Sequence, residues 1–150
     1  MSTWKEASEG NFPVYPSGTY RVKVTNVKKT TSAKKGTPGI QFTATVMAPE
    51  DYIGRFISVT VWKGAEWRIP AIVEACGVTG VPENLEMDIE HNEILFEVCK
   101  STEGCSAYWR NEQGNFEGKS KNEIVDFQLD PAQAVVQFDA NDGVPDFAKG

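Results

Sequence analysis

Alternation of apolar and polar side chains limits what this chain can become more than any other feature. From Thr19 to Val27, Tyr20, Val22 and Val24 fall on one face and Arg21, Lys23 and Thr25 on the other, the period of a half-buried strand. Ile40, Phe42, Ala44 and Val46 repeat the pattern against Gln41, Thr43 and Thr45. Residues 55–63 repeat it with Ile57, Val59 and Val61 inward, leaving Phe56, Ser58, Thr60 and Trp62 outward. The period then changes over residues 65–76. Ile69, Ile72, Val73 and Cys76 share a helical stripe, Pro70 sits in the first turn and Gly77 ends it. Alternation resumes from Asn92 to Lys100 (Ile94, Phe96, Val98 inward) and closes from Glu123 to Leu129 (Val125, Phe127, Leu129). The stretches 28–39 and 101–120 are too polar and too rich in Gly, Pro or Asn for an element, and read as loops.

The expected order is β, β, β, α, β, β, which places the chain in the all-β class. A five-stranded Greek-key barrel with one short helix between strands 3 and 4 is the oligonucleotide- and oligosaccharide-binding (OB) fold. That fold binds its ligand on strands 2 and 3 and on the loops joining strands 1 to 2 and 4 to 5. Here the first of those loops carries Lys28, Lys29, Lys34 and Lys35, and the second carries Tyr108, Trp109 and Arg110.

Charge is distributed to match. Residues 18–70 hold nine cations against three carboxylates, a balance of +6, although the whole chain has a net charge of −6. Residues 71–150 hold five cations against sixteen carboxylates, or −11. An acidic protein would ordinarily be dismissed as a partner for polyanions, but a basic block of strands can face one partner while an acidic end faces another.

A length of 150 residues implies one domain with a core of its own. Residues 1–17, with Pro13 and Pro16 around Val14 and Tyr15, read as an N-terminal arm, residues 18–129 as the domain, and residues 130–150 as a flexible acidic tail. Cys76, Cys99 and Cys105 are odd in number and fit no disulfide scaffold, so they read as reduced thiols of a cytoplasmic protein. No apolar run approaches the roughly 20 residues that cross a bilayer, so no membrane contact is expected.

Catalytic and metal chemistry find little support. Cys76, His91, Cys99 and Cys105 are four soft ligands, but the separation of Cys99 from Cys105 is not that of a zinc site. His91 stands among Glu90, Asn92 and Glu93 with no nucleophile or phosphate loop to serve. Asp88 and Glu90 alone are a weak signal for a metal nuclease. The expectation is a non-enzyme without metal or cofactor.

Several short motifs carry a resemblance. Pro16-Ser17-Gly18-Thr19-Tyr20, the run from Thr31 to Pro38 (Thr-Ser-Ala-Lys-Lys-Gly-Thr-Pro), Gly54-Arg55-Phe56, and Asn122 to Phe127 together span about residues 13–129. They resemble a phage family, long catalogued without function, of single-stranded DNA-binding proteins. The resemblance implies an OB barrel that coats single-stranded DNA in DNA replication or recombination, in the host-cell cytoplasm if the gene is a bacteriophage's. The stretch Asp139 to Phe147 is similar to the acidic, Pro-Phe-ended tails of bacterial single-stranded DNA-binding proteins. It departs from them in that Asp146 separates Pro145 from Phe147, and Ala148, Lys149 and Gly150 follow.

The functional expectation is sequence-independent binding of single-stranded DNA. Arg21, Lys23, Lys28, Lys29, Lys34, Lys35, Arg55 and Arg110 would meet phosphates, and Phe56, Trp62, Tyr108 and Trp109 are the stacking candidates. Tyr108 and Trp109 are adjacent, so one faces the ligand and the other the core, and the sequence does not say which. Asp139, Asp142, Asp146 and Phe147 would present a tail to replication or recombination proteins. The rival reading is a protein-interaction module or inhibitor that offers an acidic surface to a basic partner.

Overall fold

β-Branched and aromatic residues at alternate positions of the first half of the chain give three long strands, as their preference for a pleated, half-buried surface requires. The computed structural model describes residues 14–116 and 119–138, without the side chains of residues 115–121. β1 (Gly18–Thr31), β2 (Pro38–Ala48) and β3 (Phe56–Trp62) run antiparallel, and β5 (Ser106–Phe116) and β6 (Lys119–Leu129) complete a five-stranded sheet ordered β3-β2-β1-β5-β6. Between β3 and β5 lie α1 (Ile69–Ala75), the two-residue β4 (Val78–Thr79) and α2 (Glu93–Lys100). β7 (Val136–Gln137) pairs with β4 in parallel. Among the described residues no helix is long and apolar enough to cross a membrane.

The segment 28–39 is not the loop that its polarity suggests. Lys28 to Thr31 pair with Gln41 to Pro38, so β1 and β2 continue as a hairpin whose turn is only Ser32–Thr37. The Ser32 N–H donates to the Thr37 carbonyl (2.8 Å) and the Gly36 N–H to the Ser32 carbonyl (2.9 Å). Gly36 supplies the left-handed φ of +65° that a side chain would resist. Lysines at the ribbon end do not interrupt pairing, because their side chains are exposed and leave the backbone ladder intact.

The fourth strand lies elsewhere than the alternation predicts. Asn92 to Lys100 is helix, not strand: the Asn92 side chain accepts a hydrogen bond from the Ile94 N–H (3.1 Å), and Leu95, Val98 and Cys99 form the buried stripe while Ile94 is exposed. Ile94, Phe96 and Val98 satisfy a period of two by coincidence. The true strand is β5, inside the stretch expected to be a loop. Its inward residues are Ala107, Trp109 and Asn111, continuing from the buried Cys105, and the small and polar members conceal the alternation. In β6 a register shift opposite Arg110 and Asn111 leaves Val125 unpaired and 37 % exposed, and turns Ile124 inward in its place.

β3 and β6 are the two edges of the sheet and share no ladder, so the sheet is open there. Side chains span the gap. The Tyr15 N–H donates to Asn122 Oδ1 on β6 (2.8 Å), and its hydroxyl donates to the Phe56 carbonyl on β3 (2.9 Å). Asn111 and Gln113 side chains donate to the Tyr15 carbonyl (3.2 and 3.0 Å), and the ring packs against Tyr20 and Tyr52. Burial holds the Tyr15 and Tyr20 phenols above their ordinary pKa, so both remain donors at neutral pH. At another point Arg68 Nη2 donates to the Ile124 carbonyl (2.9 Å). Such bridging covers two edges that would otherwise invite pairing with other chains. Tyr15→Phe removes one of these bonds, and urea unfolding is expected to show a loss of about 1 kcal/mol.

The domain boundaries also move. Tyr15, assigned to the arm, is 2 % exposed and belongs to the core. At the other end Asp130 and Phe138 are buried and β7 docks on β4, so residues 130–138 are part of the domain and not of a tail. Asp139, Asp142, Asp146 and Phe147 lie outside the described residues, as do residues 1–13. The three thiols are free and buried, and burial pushes the Cys76 and Cys99 pKa values up to about 12, which keeps both protonated. His91 is exposed beside Asp88, and among the described residues no group of His, Cys, Asp or Glu is arranged to hold a metal.

Candidate nucleic-acid interface

With Ile57, Val59 and Val61 in the core, β3 must turn Phe56, Ser58, Thr60 and Trp62 outward. Directly opposed residues of antiparallel strands share a face, which extends that surface across the sheet. Phe56 pairs with Thr45 and Thr45 with Lys23. Thr60 pairs with Gln41 and Gln41 with Lys28. Trp62 pairs with Gly39 and Gly39 with Thr30. On the far side of β1, Arg21 stands opposite Tyr108 and Thr19 opposite Arg110. One outward face therefore carries Arg21, Lys23, Lys28, Phe56, Trp62, Tyr108 and Arg110, with only Thr and Gln at its centre on β2.

Trp62 and Phe56 mark the two ends of β3, about 20 Å apart at the rise of an extended strand. Trp62 is 37 % exposed and Phe56 51 % exposed. The indole lies across the β2 backbone: a Cβ added at Gly39 would stand 2.6 Å from Trp62 Cε3. Gly39 is thus the residue that leaves room for the indole against the strand. Gly39→Ala is expected to lift the indole, cost about 1 to 3 kcal/mol through overpacking, and change the Trp62 emission spectrum. The Lys63 N–H donates to the Pro38 carbonyl (2.9 Å), which fixes Trp62 beside the base of the hairpin bearing Lys34 and Lys35 at its tip. Arg55 is exposed just before β3, its carbonyl accepting from the Val46 N–H (2.8 Å).

Three predicted residues are used elsewhere. A register shift between Val24 and Asn26 adds one residue to β1, so Lys28 points outward and Lys29 falls opposite the buried Ile40. Lys29 pairs with Glu93 and lies 5.0 Å from the centre of the Phe96 ring, fastening α2 to the sheet. Trp109 is fully buried and packs edge-on against Phe127 at 5.7 Å, so it is no stacking platform. Tyr108 takes the outward place. Arg21 donates through Nε to Asp130 Oδ2 (2.7 Å), and that carboxylate also accepts from the Ala132 N–H (2.9 Å).

The Ala132 N–H and then Arg21 hold the Asp130 carboxyl below its ordinary value of 3.8. A carboxylate whose folded pKa is depressed stabilises the fold above its unfolded pKa, and that stabilisation disappears as pH falls through the depressed value. The urea midpoint should therefore drop between pH 5 and pH 2, and Asp130→Asn should lower it at pH 7 while flattening that acid limb.

The electrostatics sharpen toward the hairpin. On β5 and β6, Arg110 faces Asp126 and lies 3.9 Å from Glu112, so that end is close to balanced. In the acidic segment, Glu90 pairs with Lys63 and Glu93 with Lys29. Lys63 holds the Glu90 carboxyl below its usual range. Sequence patterning does not reveal Gly39, whose role shows only once it is paired with Trp62. Nor does it single out Trp67, 76 % exposed on the side of its turn away from the Ile69, Ile72 and Val73 stripe.

A family model described as protein of unknown function (DUF669) matches residues 2–103. No curated protein matches the chain.

Proposed function

The chain belongs to this family of unknown function, which covers more than half of its length, and we propose that it is a sequence-independent single-stranded DNA-binding protein. The observation that carries this reading is the single outward face on which Phe56 and Trp62 lie exposed beside Lys23 and Lys28, with a basic hairpin turn at one end. Single-strand binding without sequence preference needs cations that follow the phosphates and flat rings on which bases stack, and that face supplies both.

We read the sheet as a partly open OB barrel. Its order β3-β2-β1-β5-β6 is the one that a five-stranded barrel opened between its third and last long strands would have, and Tyr15 and Arg68 bridge that gap. In such a barrel β2 and β3 form the ligand surface. The resemblance of residues 13–129 to phage single-stranded DNA-binding proteins supports a role in replication or recombination. The rival, an acidic surface for a basic protein, loses ground because Glu90 and Glu93 are already paired within the chain.

Titration with oligo-dT tests the proposal, read by tryptophan emission. Trp62→Ala is expected to weaken binding about tenfold, within the 1 to 3 kcal/mol of one stacked base. Binding unaffected by the loss of Trp62 would remove the stacking half of the proposal.

A further inference from the structure

We infer that Trp67 is a further base-stacking subsite, carrying the DNA path past the end of β3. This rests on the reading of the β1-β2-β3 face as the DNA surface. Trp67 is 76 % exposed, more than any other large apolar side chain among the described residues. Among those residues it meets no aromatic ring or cation. Tryptophan is rarely left so bare, because its large apolar area favours burial.

The display is rigid. The Ala65 N–H donates to the Trp62 carbonyl (2.9 Å) and the Arg68 N–H to the Ala65 carbonyl (3.0 Å), two successive turns that share Ala65. Gly64, at φ +99°, makes the first of them possible. The Arg68 side chain ties the second to β6 through the Ile124 carbonyl. Two such turns, each spanning under about 7 Å, keep the Trp62 and Trp67 backbones within about 14 Å of one another. Lys63 lies between the two indoles in sequence and Arg68 follows the second. Glu90 and the Ile124 carbonyl already engage those two cations, so what the segment adds to a nucleic-acid track is a second flat ring.

A nucleobase suits this ring better than a protein partner does. A protein anchor normally sits in a well-packed patch whose surrounding contacts exclude water. Around Trp67 in sequence stand Gly64, Ala65, Glu66 and Arg68, which are too small or too polar to form that rim.

The test uses oligo-dT of increasing length. In the full chain with Trp4→Phe and Trp62→Phe, the responsive emission comes from Trp67, because Trp109 is buried. That emission should be quenched, and shielded from acrylamide, once the oligonucleotide passes a threshold length. Trp67→Ala in the otherwise native chain should weaken binding of long oligonucleotides about tenfold and leave the shortest unaffected. Trp67→Phe, which keeps a flat ring, should retain most of the affinity. Equal binding by Trp67→Ala at every length would overturn the inference, as would equal weakening in the Phe and Ala variants. If that happens while Trp62→Ala still weakens binding, the DNA-binding reading stands without this subsite. Absence of binding by the native chain would sink both.

Discussion

Replacing Lys23, Lys28, Lys34 and Lys35 together by alanine should weaken oligo-dT binding on the order of 10³-fold at 50 mM salt. Each phosphate contact on a single strand contributes about 0.7 to the slope of log K against log salt. Removing four such cations would flatten that slope by about 3, which between 50 mM and a 1 M reference amounts to three orders of magnitude or more. All four side chains are at the surface, so the variant should fold as the native chain does. Lys29→Ala is the contrast. Its charge is engaged by Glu93 and Phe96 behind the sheet, so the salt slope should be unchanged while the anchorage of α2 weakens.

Trp109→Ala should have the largest effect on folding. The side chain is fully buried on β5, packed edge-on against Phe127. Truncating a buried tryptophan leaves a cavity that the surrounding sheet fills only in part, with a cost of about 3 to 5 kcal/mol. Chemical denaturation checks this directly. The same variant separates two roles for Trp109: as a core residue its loss lowers the unfolding midpoint, and the fraction still folded binds DNA with native affinity. A stacking residue would behave in the opposite way, with stability kept and affinity lost.

The first three strands are legible because Val, Ile and Phe alternate there with polar residues over seven or more positions. What the sequence hides has specific causes. One extra residue near Thr25 reverses the facing of everything after it, exchanging the roles of Lys28 and Lys29. The fourth strand is obscured because two of its inward residues are Ala107 and Asn111, and the latter is buried to hold the Tyr15 carbonyl. α2 passes for a strand because Ile94, Phe96 and Val98 alternate, although Asn92 is a good N-cap and Leu95, Val98 and Cys99 have helical spacing. The docking of Tyr15 and of residues 130–138 depends on long-range hydrogen bonds and on a two-residue ladder, which leave no periodic trace.

For the candidate site, parity alone finds Phe56 and Trp62. It cannot decide between Tyr108 and Trp109, which the packing of Trp109 on Phe127 resolves. Nor can composition say which cations are open to a ligand. Arg21 and Lys29 count equally with Lys23 and Lys28 in a charge total, yet Asp130 and Glu93 occupy the first two.

The most direct test of the central claim is a titration of the native chain with oligo-dT at 50 and 200 mM salt, read by tryptophan emission. The account predicts quenching at both, with a slope of log K against log salt of about −3 or steeper from at least four phosphate contacts. Binding that ignores salt, or no quenching at the lower concentration, would contradict it.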